Sequence, residues 1–526
     1  MKVLVSDKME EAGISILKNE EGIEVDVKTG LSPEQIKEII GDYDALAVRS
    51  ATKVTAEILD AAVNLKVIAR AGIGLDNVDI SYATQKGVAV MNTPGGNTVT
   101  TAEHSIAMMM AMTRNIPMGT MTMKQGMWEK KKLQGREVSN KTLGVIGYGN
   151  IGSIVANRAQ GLKMNVIVFD PNITVERLEE DGYESVSLDE LYTRADYITI
   201  HVPKMDATTD LLNREAFEKM KPGVMLINCA RGGIVNEADL YDALVSGKVA
   251  GAALDVFETE PPGQIPLLEL DQVIATPHLG ASTLEAQTNV AVAAASQIIS
   301  FLKHGTVLNA VNMPSVTGKI LEKLQPLLLV AEKIGLMQSQ MAKGAIRSVT
   351  VEYAGDFPDL DLKPVTVAAI KGLLAPFVKY EVNSVNAASF AKEMGIKVSE
   401  TFSQETENFT NLIRVTVESG DEKNLVAGTI FGKSDPRIVR INKFRLEVIP
   451  EGHLGLIHNI DKPGSIGSIG MTLGQHNINI ARMMVGREDD GDRNIIFLRT
   501  DTPIPEDVVK EISSLELVNS MVTFEL

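Results

Sequence analysis

Three side chains suited to acid–base work and anion recognition fall in loop-like segments that follow apolar runs. His278 lies in Ala275-Thr-Pro-His-Leu-Gly-Ala-Ser282, just after a short apolar run and just before a long helical pattern. Histidine titrates near neutral pH, so a histidine in such a loop suits proton exchange with a substrate hydroxyl. Of the seven histidines, His201 also ends an apolar run, and His104 sits within a helical apolar pattern where a core or domain-contact role is favoured. Arg231, in Asn228-Cys-Ala-Arg-Gly-Gly233, presents a planar fork that matches a carboxylate. A solvated arginine is its plainer reading. Glu260, in Leu254-Asp-Val-Phe-Glu-Thr-Glu-Pro-Pro262, precedes two prolines that stiffen its loop, and Asp255 in the same segment stands at the end of an apolar run. Spacing alone does not establish that these groups converge.

A second constellation is Gly147-Tyr-Gly-Asn-Ile-Gly152, a G-x-G-x-x-G turn. The spacing predicts a strand over 143–146 before it and a helix over 151–162 after it. Asp170 closes the next strand, eighteen residues beyond Gly152. Gly147 permits the tight turn, Gly149 lets the backbone approach a pyrophosphate, and Gly152 lets helix and strand pack closely. The helix start offers free N–H groups to phosphate. Asp170 is expected at the ribose hydroxyls, where its charge repels a 2′-phosphate, so NAD is favoured over NADP. The competing reading is a glycine turn in an unrelated α/β protein.

These groups need a scaffold, and the 526 residues predict three or four domains rather than one core. Hydrophobic residues at 44% and charged residues at 23% describe an ordinary globular chain. The net charge of −17 argues against nucleic acid or an anionic membrane as partner, so an anionic substrate needs locally placed arginines. One cysteine, Cys229, excludes an internal disulfide and a Cys-rich metal site, as expected of a cytoplasmic protein. Apolar runs alternate with helical patterns over the first three hundred residues. That predicts an α/β class with two doubly wound parallel sheets, separated by an apolar helix over 98–113. A second long helix, 284–301, is expected to return to the first unit. A linker over 309–318 opens an α+β region with helices over 320–342, 365–379 and 387–394. Its β segments are expected over 348–353, 412–418, 425–431 and 438–448. The end of the chain, 453–526, fits a ferredoxin-like βαββαβ module.

The segments Val48–Val54, Arg70–Asp79, Gly147–Gly152, Ala230–Val235, Gly251–Pro262 and Pro277–Ser282 together resemble the D-isomer-specific 2-hydroxyacid dehydrogenases. With its C-terminal modules the whole chain is similar to long-form members that oxidise D-3-phosphoglycerate to 3-phosphohydroxypyruvate at the start of L-serine biosynthesis. The resemblance implies a substrate-binding domain over 1–97, completed by about 283–312, and a Rossmann-type NAD-binding domain over 98–282. An intervening domain over 313–450 and an ACT regulatory domain over 451–526 follow.

The resemblance also implies a catalytic set of Arg231, Glu260 and His278. His278 exchanges the hydroxyl proton, Glu260 orients the imidazole and stabilises its protonated form, and Arg231 holds the substrate carboxylate. NAD is placed against Gly147, Gly149, Asn150, Ile151, Gly152, Asp170, Val202, Cys229, Ala230, Arg231, Asp255, His278, Leu279, Gly280 and Ala281. Substrate is placed against Arg49, Ser50, Arg70, Ile73, Gly74, Asn97 and Arg231. L-serine is the implied effector, at Asn459, Asp461 and Asn479, although a module that only mediates association fits the same residues. A homo-oligomer, a tetramer, is a family expectation. A reductase for another 2-oxo acid, such as hydroxypyruvate or 2-oxoglutarate, and a NAD-sensing binding protein on the same scaffold are the alternatives. The basic stretch Arg437, Arg440, Lys443 and Arg445 reads as a strand face or a site for a phosphorylated effector.

Overall fold

The computed structural model of the chain describes residues 1–316, 318–357, 360–487 and 493–526. Thr317, within the expected linker, lies outside the described residues. The first sheet contains β1 (Lys2–Val5), β2 (Glu24–Val27), β3 (Ala45–Val48), β4 (Val67–Arg70) and β5 (Ala89–Met91), all parallel in the order β2-β1-β3-β4-β5. Its central strands are buried on both faces, which explains their unbroken Val, Ile, Leu and Ala runs. The helix Thr98–Thr113 leaves this sheet and places Met108, Met109 and Met112 in the core of the next unit.

The second sheet is also parallel. It contains β6 (Thr142–Ile146), β7 (Asn165–Phe169), β8 (Glu184–Ser185), β9 (Tyr197–Ile200), β10 (Val224–Asn228), β11 (Val249–Leu254) and β12 (Val273–Ala275), in the order β12-β11-β10-β9-β6-β7-β8. Strand order reverses between β6 and β9, so a crevice opens at their carboxyl ends, the position where ligands bind in such sheets. The helix Leu284–His304 then returns to the first sheet and packs Val290, Ala291, Ala294, Ala295 and Ile298 against β3, β4 and the helix Glu11–Lys18. Its ends follow from local chemistry. Thr283 accepts the Ala286 amide at the start, and Gly305, at φ 62°, closes the last turn beside Lys303 and His304.

The third sheet is mixed, with order β14-β13-β15-β16-β17-β18. Its strands are β13 (Ile346–Gly355), β14 (Lys397–Ser403), β15 (Asn411–Ser419), β16 (Glu422–Phe431), β17 (Asp435–Ile441) and β18 (Phe444–Val448). Four details differ from the sequence reading. The segment 438–448 is two strands turned at Asn442, whose φ is 50°. The helix expected to reach 379 ends at Leu374, because Pro376 cannot continue it. The polar edge strand β14 carries too few apolar residues to announce itself. A helix over Ile116–Lys124 was likewise hidden by its Pro, Gly and Thr content.

The fourth sheet holds β19 (His453–Ile460), β20 (Ile480–Arg487), β21 (Arg493–Thr500) and β22 (Val518–Glu525) in the order β20-β21-β19-β22, with two helices, as a βαββαβ module requires. Leu454, Leu456, Phe497 and Phe524 share one apolar core with Val448, Leu327 and Val330. The last two modules are therefore joined by packing and not only by the chain.

Candidate active site

The loops after β10, β11 and β12 carry Arg231, Glu260 and His278, and three adjacent parallel strands bring them to one end of the second sheet. They interlock through backbone. Gly232 lies so close to Phe257 that a Cβ would fall 1.8 Å from the Phe257 carbonyl oxygen, so the arginine loop rests flat on the glutamate loop. The Phe257 amide donates to Glu260 Oε1 at 3.1 Å, and Glu260 Oε2 lies 2.7 Å from His278 Nδ1. A carboxylate anchored on one oxygen and a ring nitrogen on the other is the arrangement that fixes an imidazole's tautomer and stabilises its protonated form.

His278 has φ 52°, an uncommon backbone region for a side-chain-bearing residue. What holds it there is Asp255, whose side chain is 0% exposed. The Asp255 carbonyl accepts the His278 amide, and its carboxylate accepts the amides of Leu279 at 2.7 Å and Gly280 at 2.8 Å. Thr276 Oγ1 donates to the same carboxylate, and His104 Nε2 lies 3.2 Å from it. Burial alone raises the Asp255 carboxyl, but the hydrogen bonds from His104, Thr276 and Leu279 outweigh it and the net shift is downward, so the group stays ionised at neutral pH. Asp255 thus lies beneath the His278 loop. His201 is different: burial pushes it down to about 3, which removes it as a proton carrier near neutral pH. Cys229 is buried, and its thiol is pushed up to about 12 by that burial.

The glycine turn has the shape a dinucleotide needs. Gly147 has φ 94°, and a Cβ on it would meet the His201 carbonyl oxygen at 2.8 Å. A Cβ on Gly152 would fall 2.0 Å from the Gly147 carbonyl oxygen, whereas Gly149 faces open space. Asn150 and Ile151 begin the helix Asn150–Gly161, and Val202 packs on Gly147 from the β9 loop. Asp170 accepts the Tyr148 and Asn172 amides at 2.8 Å each, one on each oxygen, which aims the carboxylate at the turn and leaves lone pairs for hydroxyl donors.

Across the cleft, the first sheet contributes cations. Arg70 is largely buried, and burial first and the charge of Arg231 second push its guanidinium down to about 10; Arg49 adds further repulsion. Arg70, at the end of β4, thus feels both Arg49, just after β3, and Arg231, on the loop after β10. The loop 49–52, which includes Ser50, is held by Asp7, which accepts the Arg49 and Thr52 amides at 2.6 and 3.0 Å, and by Asn77, which donates to the Arg49 and Thr52 carbonyls. The Ile73 carbonyl is held by Asn92 at 2.7 Å. Asn97 Oδ1 is buried without a hydrogen-bond partner at the start of the helix Thr98–Thr113. Asp7, Asp76, Asn77 and His104 escaped the sequence reading as site groups. Asp7 at the end of β1 was the one with a positional signal, a carboxylate closing an apolar strand.

The expected effector residues do not form one cluster within a chain. Asn459 pairs in register with Asn494 on β21, whereas Ile480, next to Asn479, pairs with Thr500. Six residues of strand separate the two positions, roughly 20 Å. Because β19 and β20 run parallel, the end of one and the start of the other lie at opposite edges of the module. Asn459 is fully buried, donates to Ser465 Oγ at 2.7 Å and leaves its Oδ1 without a partner; Asp461 is exposed on the turn that follows. Asn479 donates to Asp501. The basic stretch is also engaged: Arg440 and Arg445 converge with Arg414 on Glu407, and Arg437 pairs with Asp435 and Glu447.

Residues 106–280 match the family described as D-isomer specific 2-hydroxyacid dehydrogenase, NAD binding domain. Residues 323–442 match the D-3-phosphoglycerate dehydrogenase intervening domain, and residues 456–517 match the ACT domain. The chain is 45% identical to a D-3-phosphoglycerate dehydrogenase of Archaeoglobus fulgidus over 98% of both chains. It is 42% identical to that of Bacillus subtilis over 100% of this chain and 99% of the relative. Among solved structures, the TT0316 protein of Thermus thermophilus is similar with a TM-score of 0.55 and 33% identity, covering 59% of this chain and all of its own. D-lactate dehydrogenase from Aquifex aeolicus, complexed with NAD and lactic acid, gives a TM-score of 0.53 and 29% identity over 60% of this chain and all of its own. Among the described residues, no helix is long and apolar enough to cross a membrane. The chain belongs to the D-3-phosphoglycerate dehydrogenases, multidomain members of the D-isomer-specific 2-hydroxyacid dehydrogenase family of NAD-dependent oxidoreductases.

Proposed function

We propose that the chain oxidises D-3-phosphoglycerate at C2 with NAD, yielding 3-phosphohydroxypyruvate, NADH and a proton, the first step toward L-serine. The observation that carries the substrate assignment is that arginines from both sheets meet at one cleft: Arg70 Nε donates to the Arg49 carbonyl, and Arg231 Nη2 lies against Gly74 in the loop after β4. Three cations suit a ligand with a carboxylate at one end and a phosphate at the other. Arg231 holds the carboxylate and polarises the C2 oxygen. Arg49 and Arg70 hold the phosphate, assisted by Ser50, Asn97 and the backbone at Ile73 and Gly74. His278 accepts the C2 hydroxyl proton through Nε2, while Glu260 stabilises the imidazolium that results. NAD supplies the hydride acceptor when bound. Gly147, Gly149, Asn150, Ile151 and Gly152 hold its pyrophosphate, and Asp170 its ribose. Val202, Cys229, Ala230, Arg231, His278, Leu279, Gly280 and Ala281 lie along the cofactor, with Asp255 at its nicotinamide end, beneath the last three.

The test is a substrate panel followed by NADH absorbance. Turnover of D-3-phosphoglycerate well above unphosphorylated D-2-hydroxy acids supports the reading. Preferential reduction of hydroxypyruvate or 2-oxoglutarate overturns the substrate, and NAD binding without turnover overturns catalysis.

For regulation, the reading is an ACT module that takes L-serine in a homo-oligomer, a tetramer. Since Asn459 and Asp461 lie at the opposite edge of the module from Asn479, one ligand reaches both sets only if two copies meet edge to edge. Exposed Ile116, Met121, Met123, Met127 and Trp128 on the second domain also favour self-association. The cytoplasm is the expected location.

A further inference from the structure

We propose that Asp76 is a positioning residue: its carboxylate clasps Arg231 across the cleft and holds the guanidinium in its substrate-binding orientation. Arg231 stands on the second sheet and Asp76 on the loop after β4 of the first, 155 positions apart in sequence. Arg231 Nε donates to Asp76 Oδ2 at 3.1 Å, and Arg231 Nη1 donates to its own residue's neighbour, the Ala230 carbonyl, at 2.7 Å. A planar group tied at two edges cannot rotate. Its third nitrogen, Nη2, lies against Gly74, where a Cβ would come within 2.0 Å of it.

Charge gives the clasp a second effect. Arg70 is repelled by Arg231 and by Arg49 and is attracted by Asp76. Two cations on opposite domains oppose closure of the cleft, and Asp76 is the carboxylate that faces both. Asp7, the other acid acting on Arg70, has its carboxylate committed to the 49–52 loop. Among the described residues, Asp76 is the ion-pair partner of Arg231. The Asp76 side chain is 65% exposed, so the pair contributes little to folding and its effect falls on orientation. Without it, Arg231 is free to turn away from Arg70, and the carboxylate contact and the polarisation of the C2 oxygen are lost together.

The inference rests on the reading of Arg231 as the carboxylate ligand. The experiment compares full-length D76N and D76E with the unmodified protein in steady-state kinetics, NAD calorimetry and thermal unfolding. D76N should lower kcat/KM for D-3-phosphoglycerate by about 10-fold or more, the scale of one charge-assisted hydrogen bond, with KM raised and kcat lowered together. NAD affinity and the unfolding midpoint should hold, and D76E should recover most of the loss. In an Arg231→Lys background the D76N change should have little further effect. Wild-type kcat/KM in D76N, a D76E variant as impaired as D76N, or a parallel loss of NAD affinity overturns the clasp. Absence of D-3-phosphoglycerate turnover in the unmodified protein overturns the substrate reading instead, so the two failures are distinct.

Discussion

His278 Nδ1 lies 2.7 Å from a Glu260 carboxylate whose other oxygen already accepts the Phe257 amide. The ring is thus oriented by a group that is itself fixed, and Nε2 is left for proton exchange.

His278→Ala and His278→Asn should lower kcat by about 10²–10⁴-fold, the usual contribution of a positioned acid–base group. NAD affinity measured by calorimetry should stay near the parent value. Glu260→Gln should retain folding and NAD binding yet lose turnover, because the amide can accept from Nδ1 but no longer stabilises the charged ring. Parent-like turnover in any of these would remove the pair from the chemistry.

Asp170→Ala should weaken NAD binding and relax rejection of NADP, since it removes both the ribose acceptor and the charge that opposes a 2′-phosphate. The measurement is kcat/KM for each cofactor. An unchanged ratio would place the ribose partner elsewhere. The same variant frees the Tyr148 and Asn172 amides, so some loosening of the turn accompanies the loss.

Arg49→Ala should raise KM for D-3-phosphoglycerate far more than for an unphosphorylated D-2-hydroxy acid. Equal effects would make Arg49 a general structural group. Arg70 offers a test without turnover. Its folded value of about 10 lies below the ordinary arginine range, so the protonated form, which prevails at neutral pH, is disfavoured by folding. The sign follows directly: the unfavourable contribution of Arg70 to stability is relieved as pH climbs through about 10, and an anion that offsets the repulsion should stabilise the protein near pH 7. Millimolar inorganic phosphate should therefore raise the unfolding midpoint of the parent more than that of Arg70→Ala. Identical shifts would show that phosphate acts elsewhere.

L-serine should bind the assembled protein and inhibit it, with Asp461→Ala and Asn479→Ala each weakening the effect although they lie at opposite edges of the module. An effector changes activity only through differential affinity for two conformations, so binding and inhibition must be measured together. Calorimetry without a serine signal, or inhibition that survives both variants, would end the assignment. A chain cut near Pro450 is a poorer test. It would uncover Val448 and Leu327, which pack with Leu454, Phe497 and Phe524.

The α/β alternation, the glycine turn with its distal acid, and the three loops bearing Arg231, Glu260 and His278 were legible in the linear chain. Each is local: apolar runs mark buried parallel strands, and a turn that needs glycine shows glycine. The edge strand β14 was not, since a half-exposed polar strand has no apolar signature. Convergence was decided by tertiary structure alone. Parallel neighbours β10, β11 and β12 set three loops side by side, and packing of the returning helix against β3 and β4 holds the first sheet whose cations face them. The same distinction explains the proposed effector residues. Their types and local turns were readable from sequence, but the parallel run of β19 and β20 separates them, because strand direction depends on pairing with β21 and not on spacing along the chain. Asp76 met Arg231 for the same reason: an ion pair between domains leaves no mark on either segment, and only the fold brings the two charges within 3.1 Å.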